Sequence, residues 1–214
     1  MELIGTYLFV IGCCIGSFIN VVIYRLPLNQ SIVYPKSSCP NCNSKIKWFD
    51  NLPIISWFLL RGKCRFCNKK IAISYPIIEL CTGLLVFFNL YANPTIYGQQ
   101  PIYETIFFGC IYIPILLTLA ILDIKYFWLP KSLTLGGLIS GITASLLIDL
   151  SNDFYQFSYL IYALIASFLG FIFFNLLSHF GRKIFNKPIL GGGDAKLAAM
   201  MGSWLGINGL FISI

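Results

Sequence analysis

Two acids in this chain, Asp123 and Asp194, stand at the ends of long apolar segments, where a membrane-spanning protein carries few carboxylates. An ionisable group in or beside hydrocarbon is expensive, so it serves function or has a partner nearby. Two on one side of a bilayer suggest paired-carboxylate chemistry, in which one acid takes a proton from water while its partner donates one to the group under attack. Each also admits a plainer reading. Asp194 follows three glycines and precedes an apolar run, so it could be only the N-cap of the last helix, with Lys196 a snorkelling surface charge. Asp123 could be a solvated acid at a helix end, paired with Lys125.

A second set of chemistry-bearing residues is Cys39-Pro-Asn-Cys42 and Cys64-Arg-Phe-Cys67, two CxxC knuckles at zinc-ribbon spacing. Four thiolates at these intervals can close a tetrahedral structural site, and a polar loop this short builds no core without such a staple. The alternative is a pair of redox or incidental CxxC turns. A reducing cytoplasm disfavours stable disulfides, and no thioredoxin-like βαβ pattern surrounds them. Zinc is the ion these thiolates suit. Cys13, Cys14, Cys81 and Cys110 fall inside apolar segments and read as small packing residues.

These residues must be held by a membrane scaffold. Of 214 residues, 57% are hydrophobic and only 11% charged, and the mean hydropathy is +0.79, which leaves too little polar surface to coat a soluble globule. Apolar runs near 3–24, 76–92, 104–122, 133–149, 158–178 and 195–214 predict an all-α polytopic membrane protein of about six transmembrane helices, with a small cytoplasmic zinc-ribbon-like loop domain. The first run has Glu2 where a cleaved signal would carry a basic region, so it is expected to stay. All 15 Lys and Arg residues lie between Arg25 and Lys70, at Lys125 and Lys131, or between Arg182 and Lys196, and the positive-inside rule makes those loops cytoplasmic. The connections near 93–103 and 150–157 carry no Lys or Arg and face outward with the amino terminus. The net charge of +7 is thus a topology signal with attraction to a lipid bilayer, and it gives little reason to expect nucleic acid.

The motifs resemble one family closely. Gly16-Ser-Phe-Ile-Asn-Val-Val-Ile-Tyr-Arg-Leu-Pro27, the two knuckles, Asn51-Leu-Pro53 with Ser56-Trp57, Arg61-Gly-Lys-Cys64, and Tyr75-Pro76 leading to Glu79 resemble the amino-terminal half of bacterial type IV prepilin peptidases. Asp123 with Leu129-Pro130 and Leu133-Thr134 resembles that family's first aspartate motif, and Gly191-Gly-Gly-Asp194-Ala-Lys196 its GxGDxK motif. The resemblance divides the chain into a first transmembrane helix (1–25), a zinc-binding loop domain (26–75) and a transmembrane aspartic peptidase core (76–214).

By that resemblance the catalytic pair is Asp123 and Asp194, with Gly191, Gly193, Lys196 and Glu79 in support and Cys39, Cys42, Cys64 and Cys67 on the metal. It implies leader cleavage of type IV prepilins and pseudopilins at the cytoplasmic face of the inner membrane. Such substrates carry a basic leader ending in glycine, then a hydrophobic segment. Methylation of the new amino terminus with S-adenosylmethionine is also implied, on resemblance alone. Two positions depart from the family pattern: Ser74 stands where Arg is usual before Tyr-Pro, and Lys131 where Asp is usual after Leu-Pro. The family commonly continues through two further helices, so the competing expectation is a truncated, non-catalytic membrane scaffold or binding relative. A proton-relaying transporter would use the acids but leave the cysteines unexplained.

The remaining features carry less. Glu79 reads either as a structural partner of Arg25 or of the loop base, or as a substrate contact. His179 is an interfacial residue beside Arg182 and Lys183, and Gly12/Gly16, Gly137/Gly141 and Gly202/Gly206 fit close helix packing. Residues 191–193 would allow close backbone approach or positive φ. Trp48, Trp57 and Trp128 fall near the expected interfaces.

Overall fold

The computed structural model describes residues 2–92, 102–151, 158–185 and 191–213. Its long helices are α1 (Glu2–Arg25), α3 (Ser74–Ala92), α5 (Ile113–Tyr126), α6 (Lys131–Ser151), α7 (Ser158–Phe185) and α8 (Gly192–Ser213), with short helices α2 (Ile55–Leu59) and α4 (Ile102–Phe107). A π-helical turn at Phe108–Tyr112 joins α4 to α5. Pro114 stands two residues beyond it; lacking an N–H and crowding the carbonyl four residues back, at Cys110, it accounts for the widened turn. Among the described residues, five segments are long and apolar enough to cross a membrane: Leu3–Leu28, Ser74–Tyr91, Thr105–Tyr126, Lys131–Ser151 and Ser158–Lys183. The sixth expected span, 195–214, falls on α8, which is not among these five and is broken at Gly206, whose φ of 64° and ψ of −169° are not helical.

The chain forms two compact units, Met1–Thr118 and Leu119–Ile214. In the first, α1 and α3 run antiparallel at very close range. A Cβ on Gly12 would come within 2.8 Å of the Gly83 backbone, and one on Gly16 within 2.7 Å of that of Glu79. Leu8, Val86 and Leu90 form a buried cluster at this contact, with Cys110 packed against it. Cys13 also packs here, against Gly83, whereas Cys14 and Cys81 face outward and are not packing residues.

In the second unit α8 packs most extensively on α7 and then on α6. Gly202 is pressed against the Ala166 carbonyl of α7, and Gly141 of α6 against Ser203 and Trp204 of α8. The Trp204 indole donates to the Gly137 carbonyl at 2.8 Å. Gly206 meets nothing, so this glycine serves a helix break rather than packing. At the far end of α6 the buried Asp149 accepts from the Tyr159 and Leu160 N–H groups at 3.2 and 2.8 Å, capping α7 from a neighbouring helix. Large apolar side chains such as Leu135, Ile139, Phe168 and Leu169 face outward, as hydrocarbon-facing residues do.

Candidate active site

Asp123 lies in the last turn of α5, and the helix ends where Phe127, at φ 49°, donates its N–H to the Asp123 carbonyl at 2.8 Å. The Asp123 side chain is exposed. Among the described residues the only ion pair joins Arg65 to Asp50, so the pairing of Asp123 with Lys125, the plainer alternative for this acid, does not form. The chain then turns through Leu129 and a fully buried Pro130, whose fixed φ suits the start of α6.

Asp194 sits in the first turn of α8, half-buried. It is not the N-cap. Its carboxylate reaches back to accept from the Gly191 N–H at 2.9 Å, the role of the acidic member of a capping box. None of Gly191, Gly192 and Gly193 has positive φ, so that part of the glycine rationale falls away. Close approach holds at one of them. A Cβ on Gly193 would come within 3.1 Å of the Leu129 Cβ, so the turn after α5 rests on the amino terminus of α8. Both acids therefore stand at the same end of one compact unit. Lys125, Lys131, Arg182, Lys183 and Lys196 gather at that end too, while Ile124 and Phe127, 77% and 91% exposed, present apolar surface beside Asp123.

In the first unit the two knuckles fold as near copies. Cys39-Pro-Asn-Cys42-Asn-Ser-Lys-Ile46 and Cys64-Arg-Phe-Cys67-Asn-Lys-Lys-Ile71 share the pattern CxxCNxKI. Asn43 and Asn68 adopt φ of 54° and 56°, a left-handed conformation that Asn tolerates. In each knuckle the first cysteine's N–H donates to a carbonyl five residues on, Ser44 at 3.0 Å and Lys69 at 2.9 Å. Bridges Ser38–Lys45 and Lys63–Lys70 close the two turns. The repeat was visible in the sequence, and the asparagines were its missed signal.

The four Sγ atoms lie within 4.8 Å of one another, with Cys39 and Cys67 at 3.8 Å. Zinc at about 2.3 Å from each sulfur of a tetrahedron sets them about 3.8 Å apart. The Ser44 hydroxyl and N–H hold the Cys42 thiol down to about 6, and the N–H groups of Cys67 and Phe66 lower Cys64. At Cys67 the Lys69 N–H acts downward, but burial and the neighbouring thiols prevail and push it up to about 11. Four sulfur donors so close together fit a thiophilic divalent ion, whose charge would offset that of the thiolates.

Glu79 is buried at the base of this loop. Its Oε2 accepts from the Ile54 N–H at 2.7 Å, while Arg25 donates instead to the Ser31 carbonyl at 3.0 Å, so the loop base and not Arg25 is its partner. Ile54 is the centre of a γ-turn with φ 62° and ψ −55°, closed by the Ile55 N–H to the Pro53 carbonyl at 2.5 Å. That turn is rare and strained for a β-branched residue. A cavity of about 600 Å³ opens beside it, lined in part by Asn20, Tyr24, Arg25, Trp57, Tyr75 and Glu79.

The chain thus combines membrane-length helices, a four-cysteine loop and two acids at one end of a helical unit. Residues 10–93 match the bacterial peptidase A24 N-terminal domain and residues 110–214 the type IV leader peptidase family, and the chain belongs to that family of peptidases. It is 39% identical over 203 residues to a prepilin leader peptidase/N-methyltransferase of Myxococcus xanthus, covering 95% of this chain and 56% of that protein. It is 35% identical to the protein of that name from Klebsiella pneumoniae, over 96% of this chain and 87% of that one. The Vibrio cholerae counterpart is 33% identical, over 97% and 80%. No solved structure matches the chain significantly.

Proposed function

We propose that this protein removes the leader from type IV prepilins and pseudopilins at the cytoplasmic face of the inner membrane, with Asp123 and Asp194 as the catalytic pair. The observation that carries the reading is the seat of Leu129 on Gly193, which joins the Asp123 end of α5 to the Asp194 end of α8. One carboxylate takes a proton from water as its oxygen attacks the scissile carbonyl. The partner acid donates to the carbonyl oxygen, and collapse of the tetrahedral intermediate expels the amine, which leaves with a proton. Ile124 and Phe127 offer apolar surface for the hydrophobic segment after the scissile bond. Lys196 and the neighbouring cations support reading this end as the cytoplasmic one, and Gly191 and Gly193 would support Asp194 and the Leu129 contact.

Zinc held by Cys39, Cys42, Cys64 and Cys67 would staple the loop and supply no chemistry to cleavage. Methylation of the new amino terminus belongs to the same proposal, since its relatives are named for both activities. The cavity beside Glu79 falls in the size range of small-molecule sites and would accommodate S-adenosylmethionine. The test is purified protein in detergent, incubated with a prepilin whose leader is intact and read by mass spectrometry. Cleavage after the leader glycine, lost in Asp123→Asn and in Asp194→Asn, is expected. Persistent cleavage in either variant would remove that residue from the mechanism.

A further inference from the structure

The short helix α2 has an exposed apolar face, on which Phe58 meets the ring of the adjacent Trp57 edge-on at 5.4 Å. Ile55, Phe58 and Leu59 stand at i, i+3 and i+4 and are 57%, 66% and 76% exposed. The opposite face is packed: the Trp57 ring covers Gly62, and its indole donates to the Ile71 carbonyl at 3.4 Å. Left-handed Arg61 and Gly62, at φ 51° and 66°, reverse the chain directly after the helix.

The depth of α2 is fixed independently. Ile54, its N-cap, is hydrogen-bonded to Glu79, which lies within the membrane-spanning α3. At 1.5 Å per residue, the step from Ser74 to Glu79 places the Glu79 backbone about 7 Å inside the loop-side end of that helix. Glu79 also meets α1 at Gly16, well short of the end of α1 at Arg25. The loop therefore does not stand off in water at this point. The start of α2 is tied to the spanning pair through Glu79, and its exposed apolar face follows directly from that tie. The surrounding loop is rich in cations, with Arg61, Lys63, Arg65, Lys69 and Lys70 following α2 and Asp50 the acid among residues 26–73. Such a segment suits anionic headgroups above and acyl chains below.

We propose that α2 is an interfacial anchor whose Ile55, Phe58 and Leu59 face is seated in the boundary of the lipid bilayer. It holds the cysteine loop flat against the membrane rather than free above it. The inference rests on α1 and α3 crossing the bilayer and not on the peptidase reading, so cleavage results leave it untouched.

The experiment uses the full chain in nanodiscs of phosphatidylcholine and phosphatidylglycerol, with a benzophenone amino acid placed at Phe58 and, separately, at the exposed knuckle residue Asn41. After irradiation, mass spectrometry reads the adducts, and metal content together with circular dichroism reports that each variant is folded. Lipid adducts at position 58 at least tenfold above those at 41 are expected. Crosslinks from 58 to a second copy of the chain, or to co-purifying protein in place of lipid, would overturn the proposal, as would equal lipid labelling at the two sites. A second measurement keeps the test independent of the probe. Phe58→Glu with Leu59→Glu should raise hydrogen exchange of residues 55–60 several-fold in nanodiscs, and unchanged exchange would likewise overturn it.

Discussion

Replacing Glu79 by Ala removes the acceptor of the Ile54 N–H at a strained turn, leaving that donor at the loop base without its partner. One term carries the loss: a hydrogen bond to a charged group contributes about 1.5–3 kcal/mol. The strain of the γ-turn at Ile54 is present with or without Glu79 and cancels in the difference. One term opposes the loss, because the substitution also relieves the desolvation of a buried carboxylate. The Ser17 side chain, which also hydrogen-bonds Glu79, offsets part of that relief. The net expectation is about 2 kcal/mol, or roughly 30-fold in the opening equilibrium of residues 51–60. Glu79→Gln keeps an acceptor oxygen without the charge and should lose about half, roughly fivefold. Hydrogen exchange at the amides of Ile54 and its neighbours, on protein in detergent, reads both numbers, with α7 as the internal reference. Equal exchange in Ala and Gln variants would show that acceptance of the Ile54 N–H is not what holds the loop. Exchange in the Ala variant no faster than wild type would refute the reasoning altogether.

Three further outcomes are expected. Metal analysis of purified protein should find one zinc per chain, and Cys39→Ser should lose it and expose residues 36–70 to protease; a metal-free wild type with a protected loop would contradict the site. Gly202→Ala presses a methyl onto the Ala166 carbonyl and should lower stability by about 1–3 kcal/mol, whereas Gly136→Ala, where nothing lies within 4 Å, should gain about 0.5–1 kcal/mol. Thermal unfolding of both in one detergent checks the sign of the difference. Asp149→Ala should cost about 1–2 kcal/mol by uncapping α7 at Tyr159 and Leu160, read as faster exchange at those amides.

What the sequence alone determined follows from local physics. Apolar runs of bilayer length have few alternatives to helices, so the spans were legible to within a few residues at most ends. Four thiols in two CxxC turns cluster because each turn fixes its own pair; only their meeting needed the fold. The two aspartates were conspicuous because carboxylates are costly near hydrocarbon.

Tertiary structure decided what depends on a distant partner. Whether Glu79 served Arg25 or the loop could not be read from one chain, since Arg25 had the Ser31 carbonyl within reach and Ile54 lay 25 residues away from Glu79. Glycine spacing marked possible contacts but not which would form: Gly202 packs against α7 while Gly206 breaks α8. Asp194 looked like an N-cap and proved to be the residue that reaches back to Gly191, a distinction set by where the helix begins. The side that α2 buries was settled by the turn at Gly62 and the reach of Glu79. Local sequence fixes periodicity and cost, and long-range contact selects among the partners that periodicity leaves open.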